Sequence, residues 1–93
     1  MREIDRAHVI VSGAVQGVLF RSNARDMAEH YGLTGWIKNR WDGSVEAYVE
    51  GEKSDIDKII SWFYKGPPSA RVDKVEVVWE KATGEFDGFA VKY

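Results

Sequence analysis

The chain reads as an α+β sandwich, two helices packed on one face of a mostly antiparallel sheet. Three observations predict it. Two segments place apolar residues with helical spacing, five others are short and either β-branched or alternating, and their order is strand, helix, strand, strand, helix, strand, strand. The first strand is centred on Val9, Ile10 and Val11 and ends at Ser12 and Gly13. After a loop from Gly13 to Phe20, Ala24, Met27, Ala28 and Tyr31 form one apolar helical stripe, and Gly32 stands where a left-handed cap is wanted. Leu33 to Asn39 and Ser44 to Glu50 flank Arg40, Trp41, Asp42 and Gly43. In the second run Val45, Ala47 and Val49 alternate with Glu46, Tyr48 and Glu50, so the pair reads as a hairpin. Ser54 with Asp57 resembles a capping box ahead of the stripe Ile56, Ile59, Ile60 and Phe63, and Gly66, Pro67 and Pro68 end that helix. Val75, Val77 and Trp79, and after a turn at Thr83 and Gly84, Phe89, Val91 and Tyr93, mark the last two strands.

The first six elements make the split β-α-β repeat of a ferredoxin-like sandwich, βαββαβ, with a short fifth strand at the C-terminus. In that arrangement the first two strands run parallel with the third inserted antiparallel between them, and their C-terminal ends share an edge. The segment from Gly13 to Arg21 and the distant Asn39 are therefore expected to meet beside the start of the first helix.

Composition limits the function classes. A chain of 93 residues is expected to be one domain, 1–93, with residues 1–6 as a flexible N-terminal extension. A hydrophobic fraction of 44% is too high for a disordered tail. Thirteen basic against fifteen acidic residues, a net charge of −2, supply no global field for nucleic acid or anionic lipid. The absence of cysteine removes disulfides, thiol nucleophiles and thiolate metal sites, and suits a reducing cytoplasm. The segment Met1 to His8 lacks the apolar core of a signal peptide, and no run of apolar residues is long enough to span a membrane.

The segment that carries chemistry is Gly13-Ala14-Val15-Gln16-Gly17-Val18-Leu19-Phe20-Arg21. A glycine-bearing connection from a strand into a helix presents unpaired amides and the positive end of the helix dipole, which favour an anion. Arg21 adds a planar fork for two oxygens of a phosphate. Its charge opposes the dipole, a placement that an anionic ligand would reverse. The Gly-Lys-Ser/Thr ending of a nucleotide P-loop and the spacing of the dinucleotide fingerprint are both missing, so neither large cofactor is expected.

The stretch Val11-x-Gly13-x-Val15-Gln16-Gly17-Val18-x-Phe20-Arg21 resembles the first signature of the acylphosphatases. Gly35-Trp36-Ile37-Lys38-Asn39, followed by Gly43-x-Val45 and Gly51, is similar to that family's second, with Ile37 bulkier than usual. The resemblance runs from Ala7 to Tyr93. It implies hydrolysis of the carboxyl-phosphate bond of small acyl phosphates, with Gln16, Gly17, Val18, Leu19 and Phe20 as an amide cradle, Arg21 as phosphate clamp and Asn39 as the group that orients water. The leaving carboxylate has a conjugate acid of pKa roughly 4 to 5, so no general acid is required and the motif offers none. No metal and no cofactor is expected. The expected partners are the acyl phosphate, with inorganic phosphate as product and inhibitor. Nucleic acid and membrane are not expected, and the chain is expected to be a cytoplasmic monomer.

Plainer readings apply elsewhere. His8 and His30 lack partners at ligand or triad spacing, and the aromatic residues read as packing. Asp42 and Gly43 read as turn chemistry, and Asp55, Asp57 and Lys58 as a solvated helix face. Ser22 and Asn23 either cap the first helix or line the pocket. Two rival functions stand beside the enzyme: a ligand-binding or RNA-binding module on the same fold, and a phosphoryl-handling or carbamoyl-phosphate-handling unit of a larger assembly.

Overall fold

The computed structural model describes residues 3–93. Along the chain lie β1 (Asp5–Ala14), α1 (Phe20–His30), β2 (Thr34–Asn39), β3 (Val45–Gly51), α2 (Lys53–Lys65), β4 (Arg71–Lys81) and β5 (Phe89–Lys92). They form the expected ferredoxin-like sandwich, with a five-stranded sheet in the order β4-β1-β3-β2-β5. β3 pairs antiparallel with both β1 and β2, which therefore run parallel to each other.

The three central strands, β1, β3 and β2, bury alternate residues. Val9 and Val11 of β1, Val45 and Val49 of β3 and Ile37 of β2 are buried among Ala24 and Ala28 of α1 and Ile56, Ile59 and Phe63 of α2. Burying each of the larger side chains contributes about 1.5–3 kcal/mol, the main force holding both helices to one sheet face.

Four details differ from the sequence reading. β1 outgrows its apolar run because it is paired on both flanks, to β3 and to β4, so its polar ends are carried by backbone bonding. For the same reason Asp5 and Arg6 are not part of an extension: they pair with Gly51 and Glu50 of β3, while Met1 and Arg2 lie outside the described residues. The capping box is absent. A single residue, Glu52, separates β3 from Lys53, so Ser54 falls inside the first turn, and the Asp57 carboxylate pairs with Lys53 at 3.1 Å. Finally, β4 and β5 do not share a hairpin. They occupy opposite edges, β5 pairing parallel with β2, so residues 82–88 carry the chain across the sheet.

Gly13 fixes how β1 leaves the sheet. The register with β4 shifts between Ser12 and Gly13, and Gly13 takes φ +134°. A Cβ there would lie 2.1 Å from the Arg71 carbonyl oxygen, so no other residue fits without moving β4.

Candidate active site

β1 and β2 end on the same side of the sheet. There residues 15–19 turn into α1 and the β2–β3 turn folds beside them, tied by Gln16, whose Nε2 donates to the carbonyls of Arg40 (2.7 Å) and Ser44 (2.9 Å). A cavity of about 260 Å³ opens at this junction, lined by Val15, Gly17, Leu19, Phe20, Arg21, Ser22, Arg25, Asn39, Val91 and Tyr93. The convergence expected of Gly17, Leu19, Phe20, Arg21 and Asn39 is thus realised. The side chains of Gln16 and Val18 do not line the cavity: Gln16 braces the hairpin, and Val18 packs against the core, which leaves their main-chain amides in the turn.

Gly17 has φ +72° and Leu19 φ +66°, with Val18 between them, so the turn alternates hands, the backbone pattern from which anion-binding concavities are built. Left-handed geometry costs a branched residue such as Leu about 1–2 kcal/mol. It is tolerated at Leu19 because both neighbours are anchored: Val18 packs on the core, and the Phe20 ring lies against Trp62 (5.1 Å) and Phe63 (5.9 Å). Leu19 itself is 72% exposed at the cavity mouth.

The helix end is left electropositive. Leu19 occupies the cap position of α1 without a side-chain bond, and no acid stands in the first turn. Among the described residues, the loop and turn backbone bonds include none from the amides of residues 16–22; the Asn23 amide is the first to donate, to Leu19 O at 3.1 Å. Ser22 Oγ donates back to the same carbonyl (3.3 Å) and lines the cavity, whereas Asn23 lies on a separate groove with Trp62 and Pro67. Of the two roles left open for this pair, Ser22 takes the pocket-lining one and Asn23 takes neither.

Arg21 is held from the far edge of the sheet. Its Nη1 donates to the Lys92 carbonyl (2.9 Å), and its guanidinium sits 4.7 Å from the centre of the Tyr93 ring. A guanidinium carries five donors, so this anchoring leaves others for a ligand. Arg25, one helical turn on, adds a second cation. Sequence reasoning missed Arg25, although its i+4 spacing from Arg21 was a usable signal. It also missed Val91 and Tyr93 as site residues, because nothing local says that β5 lies beside β2.

Asn39 closes β2, paired with Val45. Its Oδ1 is buried and has no hydrogen-bond partner. An unsatisfied buried acceptor costs about 1–3 kcal/mol. The adjoining turn is hydrogen-bonded within itself: the Ser44 amide and hydroxyl donate to the Asp42 carboxylate (3.0 and 2.6 Å) and, with Arg40 nearby, hold its pKa below the ordinary value. His8, bonded to Glu46 at 2.6 Å, and His30, edge-on to Tyr31, lie away from the cavity. Among the described residues no three His, Asp or Glu side chains gather as metal ligands would, and the cavity is lined by two guanidinium groups, the Asn39 carboxamide and the Ser22 and Tyr93 hydroxyls, with no carboxylate among them, a set rich in donors for an oxyanion. No helix among the described residues is long and apolar enough to cross a membrane.

Comparison with known proteins identifies the family. A profile of the acylphosphatase family matches residues 7–91. The acylphosphatase of Pelotomaculum thermopropionicum is 52% identical over 88 residues, 95% of this chain and 96% of that one. That of a Roseiflexus species is 53% identical over 91 residues, 98% of each. The solved structure of an acylphosphatase from Coxiella burnetii has a TM-score of 0.87 at 41% identity, covering 97% of this chain and 94% of that one. A family match over nearly every described residue, joined to relatives sharing half the sequence end to end, makes this chain a member of the acylphosphatase family and an enzyme of acylphosphatase activity.

Proposed function

We propose that the enzyme hydrolyses small acyl phosphates to carboxylate and inorganic phosphate in the cavity between the 15–19 turn and β2. The phosphate is held by the main-chain amides of the turn, Gln16 to Phe20, and by Arg21, while Asn39 orients the attacking water. The observation that carries this reading is that Asn39, whose Oδ1 is buried and unpartnered, lines the same cavity as Arg21 and the left-handed turn.

The chemistry asks little more of the protein. Phosphoryl transfer depends mainly on positioning and on stabilising charge over the phosphoryl oxygens, which amides and a guanidinium supply. The leaving group is already a weak base and departs without protonation. An Asn carboxamide takes no proton at neutral pH, but its oxygen accepts a hydrogen bond from water and fixes the line of attack. The proton then passes to a phosphate oxygen.

Turnover of benzoyl phosphate, with inorganic phosphate as inhibitor, tests the assignment. Asn39→Ala is expected to lower kcat about a hundredfold while the inhibition constant for phosphate stays within about threefold. Arg21→Ala is expected to lower kcat/KM by about 10²–10³ and to weaken phosphate inhibition in parallel. A normal kcat in Asn39→Ala excludes the water-orienting role, and unchanged phosphate inhibition in Arg21→Ala excludes the clamp.

A further inference from the structure

On the sheet face away from the helices, and at the end remote from the cavity, lies a carboxylate that the chemistry above does not use. Glu50, in the last turn of pairing of β3, is 2% exposed. Its Oε1 accepts from the Gly84 amide (3.0 Å). Its Oε2 accepts from the Thr83 amide (2.9 Å), the Thr83 hydroxyl (3.2 Å) and Arg6 Nη1 (3.4 Å). Arg6 extends the grip: Nη1 also donates to Glu85 Oε1 (3.0 Å), and its guanidinium lies over Tyr48 (4.1 Å) and Phe86 (5.3 Å). The loop that crosses from β4 to β5 is thus stapled to the central strands by one buried charge. Such a charge is tolerated only when donors face it, and here four do.

What the staple delivers is β5. This strand has four residues, lies at the sheet edge and pairs with β2. So short an edge strand carries little pairing energy of its own, and a slip of one residue would turn Phe89 and Val91 to the wrong face. At its far end the Lys92 carbonyl and the Tyr93 ring hold the Arg21 guanidinium, and Val91 and Tyr93 line the cavity.

We infer that Glu50 is a positioning residue for phosphate binding: by clamping Thr83 and Gly84, with Arg6 holding Glu85, it sets the register of β5, which in turn holds Arg21 in its place in the cavity. The inference rests on the reading of Arg21 as the phosphate clamp. It is tested with inorganic phosphate in titration calorimetry, alongside benzoyl phosphate kinetics, at a temperature where circular dichroism shows each variant folded.

Glu50→Gln keeps the shape but removes the charge and turns donors toward donors. It is expected to raise the phosphate Kd and the KM by a common factor, about threefold to tenfold, with kcat within about twofold. Thr83→Ala, an exposed change that removes one of the four donors, is expected to shift both constants in the same direction by about twofold, and serves if Glu50→Gln does not fold. In an Arg21→Ala background Glu50→Gln is expected to change the phosphate Kd no further, because its effect runs through Arg21. A Glu50→Gln or Thr83→Ala protein with lowered Tm but unchanged Kd and KM would overturn the positioning role, leaving Glu50 a stability residue. So would an equal loss of affinity in the Arg21→Ala background. If Arg21→Ala alone binds phosphate as the wild type does, the clamp reading fails and the inference falls with it, an outcome distinct from the other two.

Discussion

Gly13 and Gly17 stand four residues apart in one motif, and the structure gives them different reasons to be glycine. At Gly13 the obstacle is another backbone: a Cβ would meet the Arg71 carbonyl. At Gly17 a Cβ meets nothing within 4 Å, and only the positive φ of +72° disfavours a side chain. Gly13→Ala should therefore cost on the order of 3 kcal/mol, combining strain with a clash that β4 must relieve. Gly17→Ala should cost about 1–2 kcal/mol. Urea unfolding of the two variants measures both, and equal losses would contradict the distinction between collision and conformation. Neither motif nor spacing separates these glycines, because the atom that excludes a side chain at Gly13 belongs to a strand nearly sixty residues away.

Elements meet at the site through Gln16, which joins the loop before α1 to the β2–β3 turn. Gln16→Ala leaves the Arg40 and Ser44 carbonyls without that donor and lets the amide turn and Asn39 move relative to each other. The expected result is a loss of about 1–3 kcal/mol in stability and of about tenfold or more in kcat. A wild-type kcat would mean that the hairpin holds Asn39 unaided. At α2 the local pattern misled, for a physical reason. Ser54 and Asp57 have the spacing of a cap, but β3 runs on to Gly51 and leaves only Glu52 as linker, so the helix starts before Ser54. Ser54→Ala is accordingly expected to change stability by less than about 0.5 kcal/mol, since Ser54 is an exposed first-turn residue that caps nothing. A true cap would lose about 1 kcal/mol on the same change, so the size of the shift in thermal unfolding decides.

At the scale of the molecule, several carboxylates are held in their charged form. Side-chain hydrogen bonds from Ser44 to Asp42, Arg71 to Asp73, Lys74 to Glu76 and Arg6 to Glu85 are the largest causes that lower these four pKa values. A carboxylate whose pKa is lower folded than unfolded adds stability above its unfolded value, and that addition is lost as pH falls through the folded one. Scanning calorimetry should find Tm nearly constant from about pH 7 to 5 and falling below about pH 4. Asp42→Asn should make that fall shallower. A Tm that rises on acidification would contradict the sign. These ion pairs are exposed, so the effect should weaken in high salt.

Helical and alternating periods, the glycine-bearing turn and the residues Arg21 and Asn39 were legible in the amino-acid order, because each reports a local preference or a motif. So was the meeting of Arg21 with Asn39, since the handedness of β-α-β crossovers leaves one arrangement for the first three strands. Other features needed the folded chain. These were the parallel placement of β5 beside β2, the grip of Lys92 and Tyr93 on Arg21, the brace made by Gln16 and the burial of Glu50. Each depends on which strand edge remains free once the core has closed, and on groups tens of residues apart sharing one small volume. Sequence periodicity describes which face of an element is buried; only packing in three dimensions decides against what.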